Sequence, residues 1–327
     1  MNRYERQIAV DAFGVSGQKK MAAARALVVG AGGLASPVLQ YLVGAGLGYI
    51  RLLDSDIITV SNLHRQTLFR VGDLGLAKAM VAANHMSDLN SDCKIIPIKQ
   101  QLTPDNVDVH TNDVDLVIDC ADNFAVSYTL SDNCVGRMPL IHASVVEMSG
   151  YVGGFCARSP SLRAVFPDLP HRFGNCNEDG VLGPIVGVIG SLQAQFALGV
   201  ITGQSPSPLG QMVTYEAGTN RFSGFRFDDA ADPNVYMQFI SPSQVQQGDF
   251  VIDLRDVSEG PLVTSNAIRA KLDSIGPELP LAGAPRVVLC CQSGQRAWIA
   301  AEKLSEFWSG PISLIAAGNP IFVKKEN

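Results

Sequence analysis

The stretch Ala26-Leu-Val-Val-Gly-Ala-Gly-Gly-Leu-Ala-Ser-Pro-Val-Leu-Gln40 constrains this chain more than any other. Residues 26–29 form a short aliphatic run, the pattern of a strand buried on both faces of a parallel sheet. The run breaks at Gly30-Ala-Gly-Gly33, and an apolar-periodic helix is expected after it, with Leu34, Val38, Leu39 and Leu42 facing inward. Glycines between a strand and a helix let the backbone turn sharply and come close to a ligand. The first N–H groups of the helix then offer a partial positive charge to a phosphate. The spacing Gly30-x-Gly32-x-x-Ala35 fits the dinucleotide-binding fingerprint. Tyr49-Ile-Arg-Leu-Leu-Asp54 reads as the next strand, and its carboxylate stands about 20 residues past the glycines, where such folds bind ribose hydroxyls.

The alternation continues. Residues 94–99, 114–119 and 139–143 read as strands, and 76–89 and 128–135 as helices. That order predicts an α/β fold, a Rossmann-like unit with a mostly parallel sheet. Residues 157–183 carry repeated Pro and Gly without apolar periodicity and read as a long functional loop. An apolar helix at 184–200 and two antiparallel strands within 212–227 follow.

A length of 327 residues allows about two domains. The acidic, turn-forming run at 228–234 marks the break, giving a first domain at 1–228, a linker at 229–239 and a second, smaller α/β domain at 240–327. Strands at 250–254, 286–290 and 312–315 and a helix at 295–306 fill the second. A formal charge of −6 without a basic block argues against nucleic acid or an anionic membrane as partner. No apolar run looks long enough to span a membrane and the N-terminus lacks a signal-peptide core, so a cytoplasmic protein is expected. Seven cysteines, an odd number with no Cys-x-x-Cys pair, argue against a disulfide framework and against structural zinc.

Asn62, Arg65, Gln66 and Lys78 fall beyond the carboxyl ends of the first strands, where open α/β sheets bind ligands. An Arg and a Lys converging on phosphates favour charge neutralisation in phosphoryl or nucleotidyl transfer over hydride transfer. An NAD-dependent oxidoreductase would share the glycine turn but does not require that cluster. Asp122, at another strand end, is suited to Mg²⁺, which takes a carboxylate together with phosphate oxygens and water.

Arg6-Gln-Ile, Gly30-Ala-Gly-Gly-Leu, Leu53-Asp-x-Asp56, Ser61-Asn-Leu-x-Arg-Gln66, Lys78 and Asp119-Cys-Ala-Asp-Asn123 stand in the order seen in ubiquitin-activating-like adenylyltransferases, which residues 3–227 resemble. Within that family the chain looks like the bacterial enzymes that activate sulfur-carrier proteins for molybdopterin or thiamine synthesis. The resemblance implies binding of ATP with Mg²⁺ and adenylation of the C-terminal carboxylate of a ubiquitin-like carrier ending in Gly-Gly. On that pattern Gly30, Gly32 and Gly33 form the nucleotide turn, with Asp56 and Asn123 beside it. Asp54 takes the ribose, Asn62, Arg65, Gln66 and Lys78 the phosphates, and Asp122 the magnesium. Arg6 would reach the ATP of a neighbouring subunit in a homodimer. Many relatives hold zinc with two Cys-x-x-Cys pairs; this chain has Leu162-Arg-Ala-Val165 and Asp229-Ala-Ala-Asp232 in those regions, so zinc is expected to be absent. Cys176, in the long loop, resembles the crossover cysteine that bonds to the activated carrier.

Cys291-Gln-Ser-Gly-Gln-Arg296 follows a buried strand and opens a helix. A loop of that form turns successive N–H groups inward as an anion nest. Together with Val251-Ile-Asp-Leu-Arg255 it resembles the rhodanese sulfurtransferases, which implies a persulfide on Cys291 with Arg296 supporting its charge. Cys290 would face the other side of the strand. The whole then reads as a fused adenylyltransferase and sulfurtransferase, supplied by a persulfide donor such as a cysteine desulfurase. The alternative is adenylation of a peptide or small carboxylic acid, with the rhodanese-like part as a docking module.

Overall fold

Residues 3–168 and 180–318 are described by the structure, a computed structural model. Two short helices, α1 (Glu5–Ile8) and α2 (Gly14–Ala23), precede β1 (Arg25–Val29), α3 (Ala35–Gly44), β2 (Tyr49–Leu53), α4 (Lys78–Leu89) and β3 (Lys94–Ile98). Next come α5 (Val107–Thr111), β4 (Leu116–Asp119), α6 (Phe124–Cys134), β5 (Pro139–Val146), β6 (Ser149–Cys156) and α7 (Leu162–Val165). After the loop, α8 (Gly183–Thr202) leads to β7 (Gln211–Glu216) and β8 (Arg221–Arg226).

These strands form one sheet in the order β3-β2-β1-β4-β5-β6-β7-β8. Pairing is parallel from β3 to β5 and antiparallel from β5 to β8. The central strand is covered on both faces, which is why its sequence is an unbroken apolar run. Ala26 and Val28 face a core built on α3 and α8, while Leu27 and Val29 face a second core with Leu130 of α6. In register, Val29 lies beside Leu53 on one side and Asp119 on the other. The chain therefore leaves β1, β2 and β4 at one level, and Gly30, Asp54 and Cys120 become neighbours.

The helix α8 corrects one expectation. It has the length and apolar composition of a membrane span, although half of that span is buried inside the protein. Ile185, Val186, Ile189, Ala194 and Ala197 fill the core against α3 and the sheet. Its hydrophobicity is that of a core helix.

A second sheet contains β9 (Gln238–Phe239), β10 (Phe250–Asp253), β11 (Ile268–Arg269), β12 (Val287–Cys291) and β13 (Ile312–Ala316), with α9 (Gln295–Ser305) packed on it. Its order is β11-β10-β12-β13-β9, with every pairing parallel. The strand β9 lies in the stretch read as linker. Two residues are too few to show a period, and pairing with β13 makes them a strand.

The two sheets share apolar packing. Ala125 and Tyr128 of α6 are buried with Phe239, Leu254, Cys291 and Trp298. The Tyr128 and Trp298 rings stack with centroids 5.5 Å apart. Where relatives were expected to carry zinc, Arg163 takes a central place. It is 2 % exposed, and its Nε and Nη2 donate to Asp132 at 2.6 and 3.0 Å. Its guanidinium lies over the rings of Tyr128 and Tyr236 at 4.5 and 4.2 Å and also donates to the Met237 carbonyl. The Ser161 N–H donates to Asp232 at 3.0 Å. A buried cation between two rings thus ties α6 and α7 to the segment leading into the second sheet.

Candidate functional site at the strand ends

Gly30 has φ +91°, and a Cβ there would lie 2.7 Å from the Cys120 carbonyl oxygen. Only glycine passes between the ends of β2 and β4 without displacing backbone. At Gly33 a Cβ would meet Val186 of α8 at 2.7 Å. These two contacts explain why the turn is glycine-rich.

Asp54, at the end of β2, closes the turn from the side. One carboxylate oxygen accepts the Ala31 N–H and the other the Asp56 N–H, both at 2.7 Å. Burial pushes its carboxyl above the ordinary carboxylate range, although those N–H groups and the nearby Lys78 oppose the shift. Lys78 is the first residue of α4. Its ammonium is buried and reaches Asp56 Oδ2 at 2.8 Å, and its N–H donates to the Asp56 carbonyl. The α4 N-terminus is thus bonded to the loop after β2.

Asn62 accepts the Thr59 N–H, so its side chain caps the short turn at 60–62. The half-buried Arg65 donates to the Ser61 carbonyl and to His64. Gln66 is 4 % exposed and its Oε1 has no hydrogen-bond partner. Its amide lies close to Gly32. An orphaned buried acceptor beside a glycine turn fits a ligand that brings its own donor. Beside the turn a cleft of 560 Å³ opens between Gly33, Tyr41, Arg65, Pro184 and Phe222.

Asp122 is exposed after β4, and the Asn123 side chain caps α6 by accepting the Ala125 N–H. Their turn rests on a buried polar network that sequence reading missed. Asp119 has no exposed surface; it accepts the Ala121 N–H at 3.0 Å and pairs with His142 Nδ1 at 2.8 Å. His142 Nε2 meets the Tyr151 hydroxyl at 3.0 Å, and Gln193 donates to the Asp119 carbonyl. The available signal was a histidine inside an apolar strand, opposite an aspartate only through strand register.

Arg6 does not join this cluster. It is exposed on α1, which is held at the turn between α3 and β2 by Gln7 donating to the Ala45 carbonyl. That turn is at the other end of the strands. Cys176 lies outside the described residues.

At the end of β12, Cys291 Sγ accepts the N–H groups of Gly294 at 3.1 Å and Ala297 at 3.4 Å. This is the expected nest, with Gly294 at φ +93° starting α9. Arg296 is turned elsewhere: its guanidinium pairs with Glu259 and donates to the Leu254 carbonyl at 2.9 Å. Glu259, which was not foreseen, holds the guanidinium and raises its pKa most, and the Cys291 charge raises it further. Arg296 therefore reaches Cys291 through its charge and not through a direct hydrogen bond. Cys290 is buried in a different cluster from Cys291, with its thiol pushed up to about 12 by burial. Among the described residues no three His, Cys, Asp or Glu side chains come together as a metal cage.

A Rossmann-like sheet with a glycine turn closed by a strand-end carboxylate defines the class of doubly wound α/β proteins, whose ligands lie beyond the carboxyl ends of the strands. The profile of the ThiF family matches residues 4–237, and the chain belongs to that family. It is 37% identical over 228 residues to "Adenylyltransferase and sulfurtransferase MOCS3" of Xenopus laevis, covering 68% of this chain and 51% of that one. It is 40% identical over 220 residues to the protein of the same name from Sus scrofa, covering 66% and 48%. The chain spans about half the length of the curated relatives it matches. Among solved structures, E. coli MccB with AMPCPP and MccA aligns with a TM-score of 0.63 at 22% identity, over 71% of this chain and 73% of that one. E. coli MccB with ATP aligns at 0.62 and 21% identity, over 72% of each. At such identity the likeness establishes the fold.

Proposed function

We propose that this chain is an MgATP-dependent adenylyltransferase that activates the Gly-Gly carboxylate of a ubiquitin-like sulfur-carrier protein and then delivers sulfur to it as a thiocarboxylate. The observation that carries this reading is the convergence of the glycine turn, Asp54, buried Lys78 and orphaned Gln66 at the ends of β1 and β2. Membership of the ThiF family and the names of the curated relatives support it.

On this reading Asp54 accepts the ribose hydroxyls, and Asn62, Arg65 and Lys78 hold the phosphates. Gln66 offers the phosphates its amide N–H groups, while its orphaned Oε1 is left for a nucleoside hydroxyl or a water. A carboxylate attacking a phosphate brings anion to anion, so positioning and cations do most of the work. A carrier oxygen bonds to the α-phosphorus, the bond from that phosphorus to its bridging oxygen breaks, and pyrophosphate leaves with the electron pair. No general base is needed, because the nucleophile is already ionised. The exposed Asp122 fits Mg²⁺, which uses few protein ligands, and the ion would neutralise phosphate charge. Arg6, remote from its own strand ends, serves the site of a second copy in a cytoplasmic homodimer.

Sulfur transfer follows from Cys291, charged by a donor such as a cysteine desulfurase. The outer persulfide sulfur bonds to the acyl carbon, the carbon–oxygen bond to AMP breaks, and an acyl disulfide remains on Cys291. A thiol reductant, from Cys176 or solution, attacks the Cys291 sulfur and releases the thiocarboxylate.

ATP–pyrophosphate exchange tests the first half. Exchange is expected with a Gly-Gly-terminated carrier and lost when the final glycine is removed. Exchange that ignores the tail, or appears only with a peptide or small acid, overturns the carrier reading.

A further inference from the structure

The Cys291 loop is packed against the unit that carries the nucleotide turn. Gly294 stands three residues past Cys291, and a Cβ built on it would lie 3.4 Å from Ala125 Cβ and 2.8 Å from the Phe239 ring. Ala125 stands three residues past Asp122, in the first turn of α6. The sulfur loop and the helix leaving the nucleotide-site turn are therefore in contact. Phe124 meets Phe239 edge to face at 5.9 Å, Tyr128 stacks on Trp298, and Ser243 Oγ donates to Asp105 at 2.6 Å. A cleft of 340 Å³ lies along this contact, between Asn123 and Ala125 on one side and Arg255, Ala316 and Ala317 on the other. Ala316 is the register partner of Cys291. Cys291 itself has no exposed surface.

Within the sulfur-transfer reading above, we propose that Cys291 serves the acyl adenylate made by its own chain, working from a dock on the first turn of α6, and leaves that dock to be charged. The cleft joins the Asn123 turn to the end of β13, whose Ala316 pairs in register with Cys291. A diglycine tail brings no side chains that would have to fit there. The dock shortens the interval in which water competes for the adenylate, since the nucleophile waits in contact with the nucleotide-site helix. Cys291 is fully buried where it rests, enclosed by the Gly294 and Ala297 N–H groups of its own loop. Charging by a donor protein therefore requires the second unit to lift from α6, and attack on the adenylate requires that loop to open toward the Asn123 turn. The transfer is the step already balanced above: a carbon–sulfur bond forms as AMP leaves, and a thiol reductant then cleaves the sulfur–sulfur bond.

Mixing full-length Lys78→Ala and Cys291→Ala chains with carrier, ATP and persulfide donor tests the proposal. Sulfur then reaches the carrier only by crossing between chains. Transfer within one chain predicts thiocarboxylate formation at least about tenfold below the wild-type rate. Recovery of a quarter or more of that rate overturns the proposal. A second measurement does not depend on those variants: alkylation of Cys291 by iodoacetamide, read by peptide mass. Phe239→Ala removes the ring under Gly294 and is expected to speed alkylation about tenfold; equal rates overturn the dock. Wild-type protein that gives no pyrophosphate exchange with any Gly-Gly carrier sinks the adenylation reading instead, and the alkylation result stands apart from it.

Discussion

Asp54 is held in tension between burial and its donors. Both oxygens accept backbone N–H groups, yet desolvation raises its carboxyl above the ordinary range. The folded protein therefore binds this proton more tightly than the unfolded chain does. The group's contribution to stability is complete below the unfolded carboxylate range and is lost as pH rises through the elevated value. Nucleotide binding runs the opposite way, because only the ionised carboxylate accepts two hydroxyl donors. The KM for ATP in the exchange assay is expected to rise as pH falls through the raised value, while Asp54→Asn gives a high KM that hardly changes with pH. A wild-type KM that stays flat down to the ordinary carboxylate range would remove Asp54 from the ribose site. This carboxylate was legible in the sequence as the acid closing a buried strand. The Asp119–His142 pair was not, because it exists only where β4 and β5 come into register.

Among the elements, β1 and β4 were readable because each is a buried apolar run ended by a turn-former. The strand β2 was readable despite Arg51 in its middle, because Leu52, Leu53 and the closing Asp54 repeat that ending. The strands β9 and β11, two residues each, have no period to read and are defined by their neighbours. Legibility at the glycine turn was partial. The spacing announced the turn, but not that the Cys120 carbonyl of β4's end fills the space beside Gly30. That contact gives the turn a measurable cost. Gly30→Ala places a side chain at positive φ and against backbone, and is expected to destabilise by about 1–3 kcal/mol and to abolish nucleotide binding. Gly72→Ala, with open space around it, should stay within about 0.5 kcal/mol of wild type. Denaturant midpoints for the two variants make the comparison. Equal midpoints would show that the turn tolerates a Cβ and that its glycines have another origin.

At the scale of the whole molecule, the question is whether the two sheets behave as one folding unit. Tyr128 and Ala125 are counted in the core of the second sheet although they belong to α6. Arg163 adds a polar tie at the same seam, paired with Asp132 and lying over two tyrosine rings. The sequence showed the missing cysteines and not this tie, because the partners of Arg163 are spread from position 128 to 237. Scanning calorimetry of the full chain is expected to show one cooperative transition. Arg163→Ala strands Asp132, whose carboxyl is already raised by burial, and breaking such a pair costs about 3–5 kcal/mol. It also releases the segment entering β9, so the second sheet should melt first and the transition should split. Arg163→Met with Asp132→Asn leaves no uncompensated charge and should recover most of the lost stability without rejoining the transitions fully, because the bond to Met237 and the ring contacts of the cation are still gone. One unsplit transition in Arg163→Ala would mean that the apolar seam of Tyr128, Phe239 and Trp298 couples the sheets alone.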